Sequence, residues 1–393
     1  MSQREEDERY ILPVYGRLHP EIVRGEGMYL YDATGKKYLD FYSGIAVNTL
    51  GHGHPKIMAA LSKQMGAYLH LSNYFTSETS VRLAKRLVEA SFASKVYFAN
   101  SGTEANEAMI KLARKYGVAK NPAKHDFVAI DGGFHGRTLG GLSMTGNLKY
   151  KTQFGPLLTG VTHIPQNDLD ALEAAVTDAT CGIILEIIQG EGGVRAITPE
   201  FAEKIKELAR RHDALILVDE VQTGLMRTGK LFAYEHYDLT PDVVTLAKGL
   251  GGGLPLGAML VGATVADTLL KGEHGSTFGG NPMACAAGDA VLEVITQPDF
   301  AEQVHQMSNL LVTGLRTLSG KYPDKIGEVR SYGLMIGVDV GEKALDLRDV
   351  AQGKGLLLNI TAGTVLRLLP ALILTQGDVE LFLELLGASL EEV

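Results

Sequence analysis

Short apolar strands alternating with amphipathic helices predict an α/β fold, and three observations carry that prediction for this chain. First, uninterrupted apolar runs recur: KVYFAN (95–100), DFVAID (126–131), CGIILEII (181–188), ALILVDEV (214–221) and DVVTLA (242–247). Strands buried on both faces read this way, which indicates a mostly parallel sheet covered by helices. Second, the segments between them carry helical periodicity. TEANEAMIKLARKYG (103–117) puts Ala105, Met109, Leu112 and Tyr116 on one face, and TPEFAEKIKELARRHD (198–213) opens with Thr198 as N-cap, Pro199 as first residue and Glu200 in the first turn. Third, the pattern changes at both ends.

Residues 1–60 read as β-rich, with GMYLYDATGKKYLDFYSG (27–44) alternating around the turn DATGKK as a hairpin. Residues 61–284 form the expected large unit. Residues 285–393 hold the helical stretches AAGDAVLEVI, FAEQVHQMSNLLVTGLRTLSG and QGDVELFLELLGASLEEV with the strands IGEVRSYGLMIGVDV and TVLRLLPAL, a smaller α+β unit on which the N-terminal segment packs.

With 393 residues, 45% hydrophobic and 21% charged, the chain has the composition of an ordinary soluble globular protein. A net charge of −9 argues against a nucleic-acid or anionic-membrane surface. The N-terminus MSQREEDERY is too acidic for a targeting peptide. Gly249–Ala266 lacks charge but holds six glycines and a proline, so a loop and a short strand are expected rather than a membrane helix. Cys181 and Cys285 sit among small and apolar residues, which predicts two buried thiols and a reducing, cytoplasmic setting. His52 and His54 in GHGHP lack the acidic partners of a metal site and read as structural.

Three motifs converge on one sheet edge. Ser101, Gly102 and Thr103 join a strand to a helix N-terminus, where free N–H groups and the dipole favour an anion. Asp219 ends an apolar strand, at the carboxyl edge where ligands of parallel sheets sit. Lys248 lies 29 residues further on, one strand–connection–strand unit away, and opens a glycine-rich turn. A lysine, an acid and a phosphate corner together suit pyridoxal phosphate, which needs a Schiff base, a partner for its pyridine nitrogen and an anion site. Phe134 in GGFHGRT supplies an aromatic face for the ring.

SGTEANEAMIKLAR, GGFHGRTLG, LVDEVQTGLMRTG, TLAKGLGGGLPLGA and STFGGNPMACAAG, in this order, resemble the class III aminotransferases of fold type I over nearly the whole chain. The resemblance implies the following roles. Lys248 is similar to the Schiff-base lysine and proton shuttle, and Asp219 to the pyridine-nitrogen partner. Val221 packs on the ring face opposite Phe134, and Gln222 meets the ring hydroxyl. Gly102 and Thr103 bind the phosphate. Thr277, also a phosphate ligand, comes from the neighbouring subunit with the substrate contact Ser276, which implies a homodimer with shared active sites.

GIAVNTLGHGHP, HLSNYFTSE and VLRLLPALILT look most like the branch that moves the δ-amino group of N2-acetyl-L-ornithine to 2-oxoglutarate. In that branch Arg137 resembles the residue that binds the distal carboxylate and Arg367 the one that meets the α-carboxylate of glutamate. Glu191 resembles a switch that masks Arg367 until glutamate arrives. Arginine suits both places because its planar fork binds carboxylates with paired bonds. Ile45 stands where ornithine enzymes carry a tyrosine, which favours an acylated substrate. The family's usual proline in LEIIQG is Ile187 here, and a small change of strand geometry near Glu186 and Glu191 is expected. Sister enzymes acting on carrier-linked aminoadipate semialdehyde, succinylated substrates or 4-aminobutyrate share most of these motifs. A silent cofactor-binding homologue is the reading from outside enzymology.

Overall fold

The computed structural model describes residues 3–18 and 20–393. Its central sheet runs in the order Lys95–Ala99, Gly257–Val261, Val243–Leu246, Leu215–Asp219, Thr180–Leu185, Asp126–Ile130, Val161–Ile164. Gly257–Val261 is antiparallel to both neighbours, and the other strands share one direction. Val243–Leu246, Leu215–Asp219 and Thr180–Leu185 are buried along their whole length, as their uninterrupted apolar sequences require. Because the directions agree, the ends that lead to Ser101, Phe134, Glu186, Asp219 and Lys248 all open on the same edge of the sheet.

The helix Gly102–Lys120 buries Ala105, Met109 and Leu112 beneath this sheet, with Tyr116 half-buried. The helix Pro199–His212 starts as its sequence indicates, Thr198 accepting a hydrogen bond from the Phe201 amide. Two helices fall outside the sequence expectation of a β-rich N-terminal region: Gln3–Tyr10 and Pro55–Met65. The second is started by His54, whose ring accepts from the Lys56 amide, and by Pro55 in the first turn. His52 instead bonds Asp40 at 2.9 Å.

The hairpin Tyr29–Asp32/Lys37–Asp40 is present, extended by Ile22–Glu26 on one side. On the other side Lys37–Asp40 pairs in parallel with Leu356–Leu357. Phe41 stacks on Phe382 with ring centroids 4.1 Å apart, and the Tyr29 hydroxyl donates to Asp378 at 2.6 Å. The N-terminal strands are thus sewn to the C-terminal unit. That unit carries a second antiparallel sheet, Val329–Tyr332, Met335–Asp339, Val365–Leu368, Asn359–Thr361. The positions 60/61 and 284/285 both fall within helices, Pro55–Met65 and Pro282–Ile295, and these two helices pack on each other. A composition shift marks where sequence character changes, not where a rigid helix ends.

Both cysteines are buried, and burial pushes each thiol up to about 12. No helix among the described residues is long and apolar enough to cross a membrane.

Candidate functional site

Lys248 follows the strand Val243–Leu246 with φ at +44°, in the left-handed region. The turn closes tightly behind it: a Cβ on Gly249 would come within 2.2 Å of the Thr49 hydroxyl, so a larger residue there would force Thr49 to shift. The Lys248 side chain lines a cavity of about 410 Å³ together with Asp219, Phe134, Arg137 and Gln222. Burial first, and the Arg367 guanidinium second, push its ammonium well below the usual lysine range, while Glu186, Asp219 and Glu191 pull the other way.

Asp219, 3% exposed, ends its strand in the floor of this cavity. Its carboxylate accepts from Asn106 Nδ2 at 2.8 Å, from His135 Nδ1 at 2.8 Å and from the Val221 amide at 3.0 Å. A carboxylate only accepts, so His135 carries its proton on Nδ1. Asn106 in turn donates to the His135 carbonyl and accepts from the Thr245 hydroxyl, which locks its amide orientation. His135 and Asn106 escaped the sequence reading. The signal lay one residue from Phe134 and inside the SGTEANEA helix, but nothing in spacing alone showed that both would turn toward Asp219.

The Ser101–Thr103 corner joins its strand to the start of the helix Gly102–Lys120. Ser101 caps the helix by accepting from the Glu104 amide at 3.2 Å. A Cβ on Gly102 would meet the Val221 methyls at 2.8 Å, so glycine lets the loop after Asp219 close over the helix start. The Thr103 hydroxyl shares a 2.8 Å hydrogen bond with Thr138. Phe134 stands edge-on to Tyr150, centroids 5.9 Å apart, and the exposed Arg137 guanidinium lies 4.0 Å from the Tyr150 centroid and 5.5 Å from that of Phe134.

The strand CGIILEII breaks at its acid. It pairs in the central sheet through Leu185, and Ile188–Gln189 then joins a separate ladder with Arg195–Ala196. Ile187 is buried at this break. Glu186 turns back to accept from the Phe134 amide at 2.8 Å and the Gly190 amide at 3.3 Å. Burial, and then Asp219, hold its carboxyl well above the usual carboxylate range.

Behind Glu191 and Gln222 of the cavity lining, Arg367, 1% exposed, sits in the strand Val365–Leu368. Its Nη1 donates to Glu191 at 2.6 Å and to Gln222 at 3.3 Å, while Nε and Nη2 both donate to Asn359, at 2.9 and 2.7 Å. Glu191 remains 27% exposed. Four expected residues stay outside the cavity lining: Arg367, which sits behind Glu191 and Gln222, and Ser276, Thr277 and Ile45. Ser276 accepts from Asn100 and from the Gly279 amide, and Thr277 is exposed. Ile45 lies in a left-handed run, Ser43–Ala46, that puts Val47 rather than Ile45 into the lining.

The profile described as aminotransferase class-III matches residues 13–390. The chain belongs to the class-III aminotransferases. The acetylornithine aminotransferase of Caldanaerobacter subterraneus subsp. tengcongensis is 46% identical over 98% of both chains. The succinylornithine transaminase of Yersinia enterocolitica is 44% identical over 99% of this chain and 97% of its own. Among solved structures, the N-acetylornithine aminotransferase of Stenotrophomonas maltophilia superposes with a TM-score of 0.86 at 35% identity, covering 99% of this chain and 98% of the other. The ornithine aminotransferase of Toxoplasma gondii gives 0.94 at 31% identity, covering 99% and 94%. As a class-III aminotransferase the chain is a pyridoxal-phosphate enzyme of fold type I. Its residues fit that cofactor: a buried carboxylate held by three donors, a helix start with no room for a Cβ, and a lysine of lowered pKa share one cavity.

Proposed function

We propose that the chain transfers the δ-amino group of N2-acetyl-L-ornithine to 2-oxoglutarate, giving N-acetylglutamate 5-semialdehyde and glutamate. In this reading it is a cytoplasmic homodimer serving arginine synthesis. The observation that carries it is the ion pair of Glu191 with buried Arg367, set across the cavity from an Arg137 that has no carboxylate partner among the described residues. Glutamate brings a carboxylate beside its reacting amine, and acetylornithine does not. One pocket serves both if an internal carboxylate covers Arg367 for the second substrate and swings away for the first.

Pyridoxal phosphate, when bound, supplies an electron sink for the carbon that exchanges its amine. Ser101, Gly102 and Thr103 hold its phosphate at the helix start, joined by Thr277 from a second copy. Asp219 would keep a proton on its ring nitrogen. Phe134 and Val221 would cover the ring faces, and Gln222 would meet the ring hydroxyl. Lys248, its pKa lowered by burial, would be the amine that holds the cofactor and, once freed, the base that takes and returns a proton at the substrate's amine-bearing carbon. Arg137 binds the distal carboxylate of either substrate, with Ser276 of the second copy beside it. His135 and Asn106 fix the orientation of Asp219.

Half-reactions of the holoenzyme test this reading. Acetylornithine bleaches the cofactor band rapidly and ornithine slowly, because burying ornithine's unpartnered α-ammonium costs a few kcal/mol. Glu191→Gln slows acetylornithine about tenfold and glutamate less. Equal losses for the two substrates would remove the switch, and rapid bleaching by 4-aminobutyrate in place of acetylornithine would move the chain to a sister activity.

A further inference from the structure

Glu191 sits in the loop 190–194, which joins the short strands Ile188–Gln189 and Arg195–Ala196. The loop lies across the second sheet, over a row of residues directly opposite one another on neighbouring strands: Arg330, Gly337, Arg367 and Asn359. Residues opposed in this way project from the same face. Gly337 is the notch in the row. A Cβ there would come within 2.8 Å of the Val194 Cβ and 3.2 Å of the Gly193 carbonyl oxygen, so the absence of a side chain is what seats the loop. Two buried arginines flank the notch. On one side Arg367 holds the Glu191 carboxylate, and on the other Arg330 donates from Nε to the Gly193 carbonyl at 3.1 Å. The Arg330 Nη1 pairs with Glu328, and its Nη2 is buried with no partner among the described residues. On the far strand, Asn359–Thr361, the buried Thr361 hydroxyl donates to the Glu191 carbonyl at 2.9 Å.

These contacts meet two kinds of acceptor. Arg367 holds a carboxylate that is 27% exposed, at the end of a side chain with rotatable bonds. Arg330 and Thr361 hold backbone carbonyls of the same loop. Their acceptors are not the carboxylate, so their bonds persist when it leaves Arg367. We infer that Arg330 and Thr361 are positioning residues that anchor the Glu191 loop to the sheet of Arg367. Glu191 then uncovers Arg367 by side-chain rotation alone, and it returns to the same place once glutamate has gone. The inference rests on the exchange of Glu191 for the glutamate α-carboxylate in the function proposed above. The anchor biases the pocket toward its covered state. That state serves acetylornithine, which brings no carboxylate beside its reacting amine, and opposes glutamate, which must displace Glu191.

The test measures half-reactions of the holoenzyme with acetylornithine and with glutamate, for Thr361→Val, Arg330→Gln and Glu191→Ala, alone and combined. Thr361→Val lowers kcat/KM for acetylornithine about fivefold, the worth of one hydrogen bond, through KM with kcat held. The glutamate value holds or rises. Arg330→Gln shifts the acetylornithine-to-glutamate ratio in the same direction and further, because its donor is charged. In the Glu191→Ala background neither substitution moves that ratio, since both act through the Glu191 carboxylate. Thr361→Val exchanges a hydroxyl for a methyl, so it keeps the test open if Arg330→Gln fails to fold. Equal losses for the two substrates, or ratio changes that add to that of Glu191→Ala, make both residues merely structural and overturn the anchor while the switch stands. A Glu191→Ala variant whose own ratio matches the parent removes the switch, and the anchor with it.

Discussion

The two ends of the Lys248 cavity are built to different rules. At the Asp219 end every polar contact is fixed. The carboxylate is buried, its three donors are short, and Asn106 is itself held by a threonine and a carbonyl. At the Arg367 end the arginine is equally buried, yet the carboxylate facing it is more than a quarter exposed and hangs on a loop after a two-residue strand. One end holds a buried acceptor among fixed donors. The other pairs a buried arginine with a carboxylate that is 27% exposed, the asymmetry that the proposed switch requires.

Asp219→Asn tests the fixed end most severely. We expect a loss of about a thousandfold in both half-reactions alike, in the range seen when one preorganised electrostatic partner is removed. A loss confined to one substrate would show that this end also takes part in the exchange. Arg367→Met probes the other end. It lowers kcat/KM for 2-oxoglutarate about a hundredfold, as truncation of a buried charge with bound partners does, and spares acetylornithine by at least tenfold relative to that. A uniform loss would make Arg367 a structural residue.

The same two ends pull Lys248 in opposite directions, and this gives the finest test. Arg367 depresses its pKa, and Asp219 raises it. In the cofactor-free chain an amine-directed acylating reagent reads the free-amine fraction of Lys248 against pH, followed by peptide mass. The signs are fixed: loss of Arg367 charge in Arg367→Met moves the labelling midpoint to higher pH, and loss of Asp219 charge in Asp219→Asn moves it to lower pH. Shifts in the same direction would show that reorganisation of the cavity, not charge, governs the lysine.

The central sheet was legible because its strands are buried on both faces and so carry a continuous apolar signature. The helices Pro55–Met65 and Glu78–Glu89 were harder to read. The first buries only Ile57 and Gln64, so its sequence carries little of the periodicity that marks a core helix. At the site, Lys248, Asp219 and the Ser101–Thr103 corner could be placed from strand ends alone, since each follows directly from a strand in the sheet. His135 and Asn106 could not, because their role depends on a loop and a helix turn meeting across the sheet edge. Arg367 was visible as a charge inside VLRLLP, but its contact with Gln222 crosses 145 residues and has no local trace. Around Ile45 four successive residues, Ser43 to Ala46, take left-handed backbone angles, a conformation that no side-chain pattern announces.

The backbone at Lys248 has a consequence for how such a chain ages. A non-glycine residue held at φ +44° costs of the order of 1 kcal/mol, a cost that glycine would not bear. Lys248→Gly in the cofactor-free chain is thus expected to melt higher than Lys248→Ala, though neither can react. Once selection for catalysis relaxes, the most stabilising single change at this position is also the one that destroys the chemistry. Decay of the enzyme would run downhill in folding energy, and only continued demand for the reaction keeps a lysine where the fold itself prefers glycine.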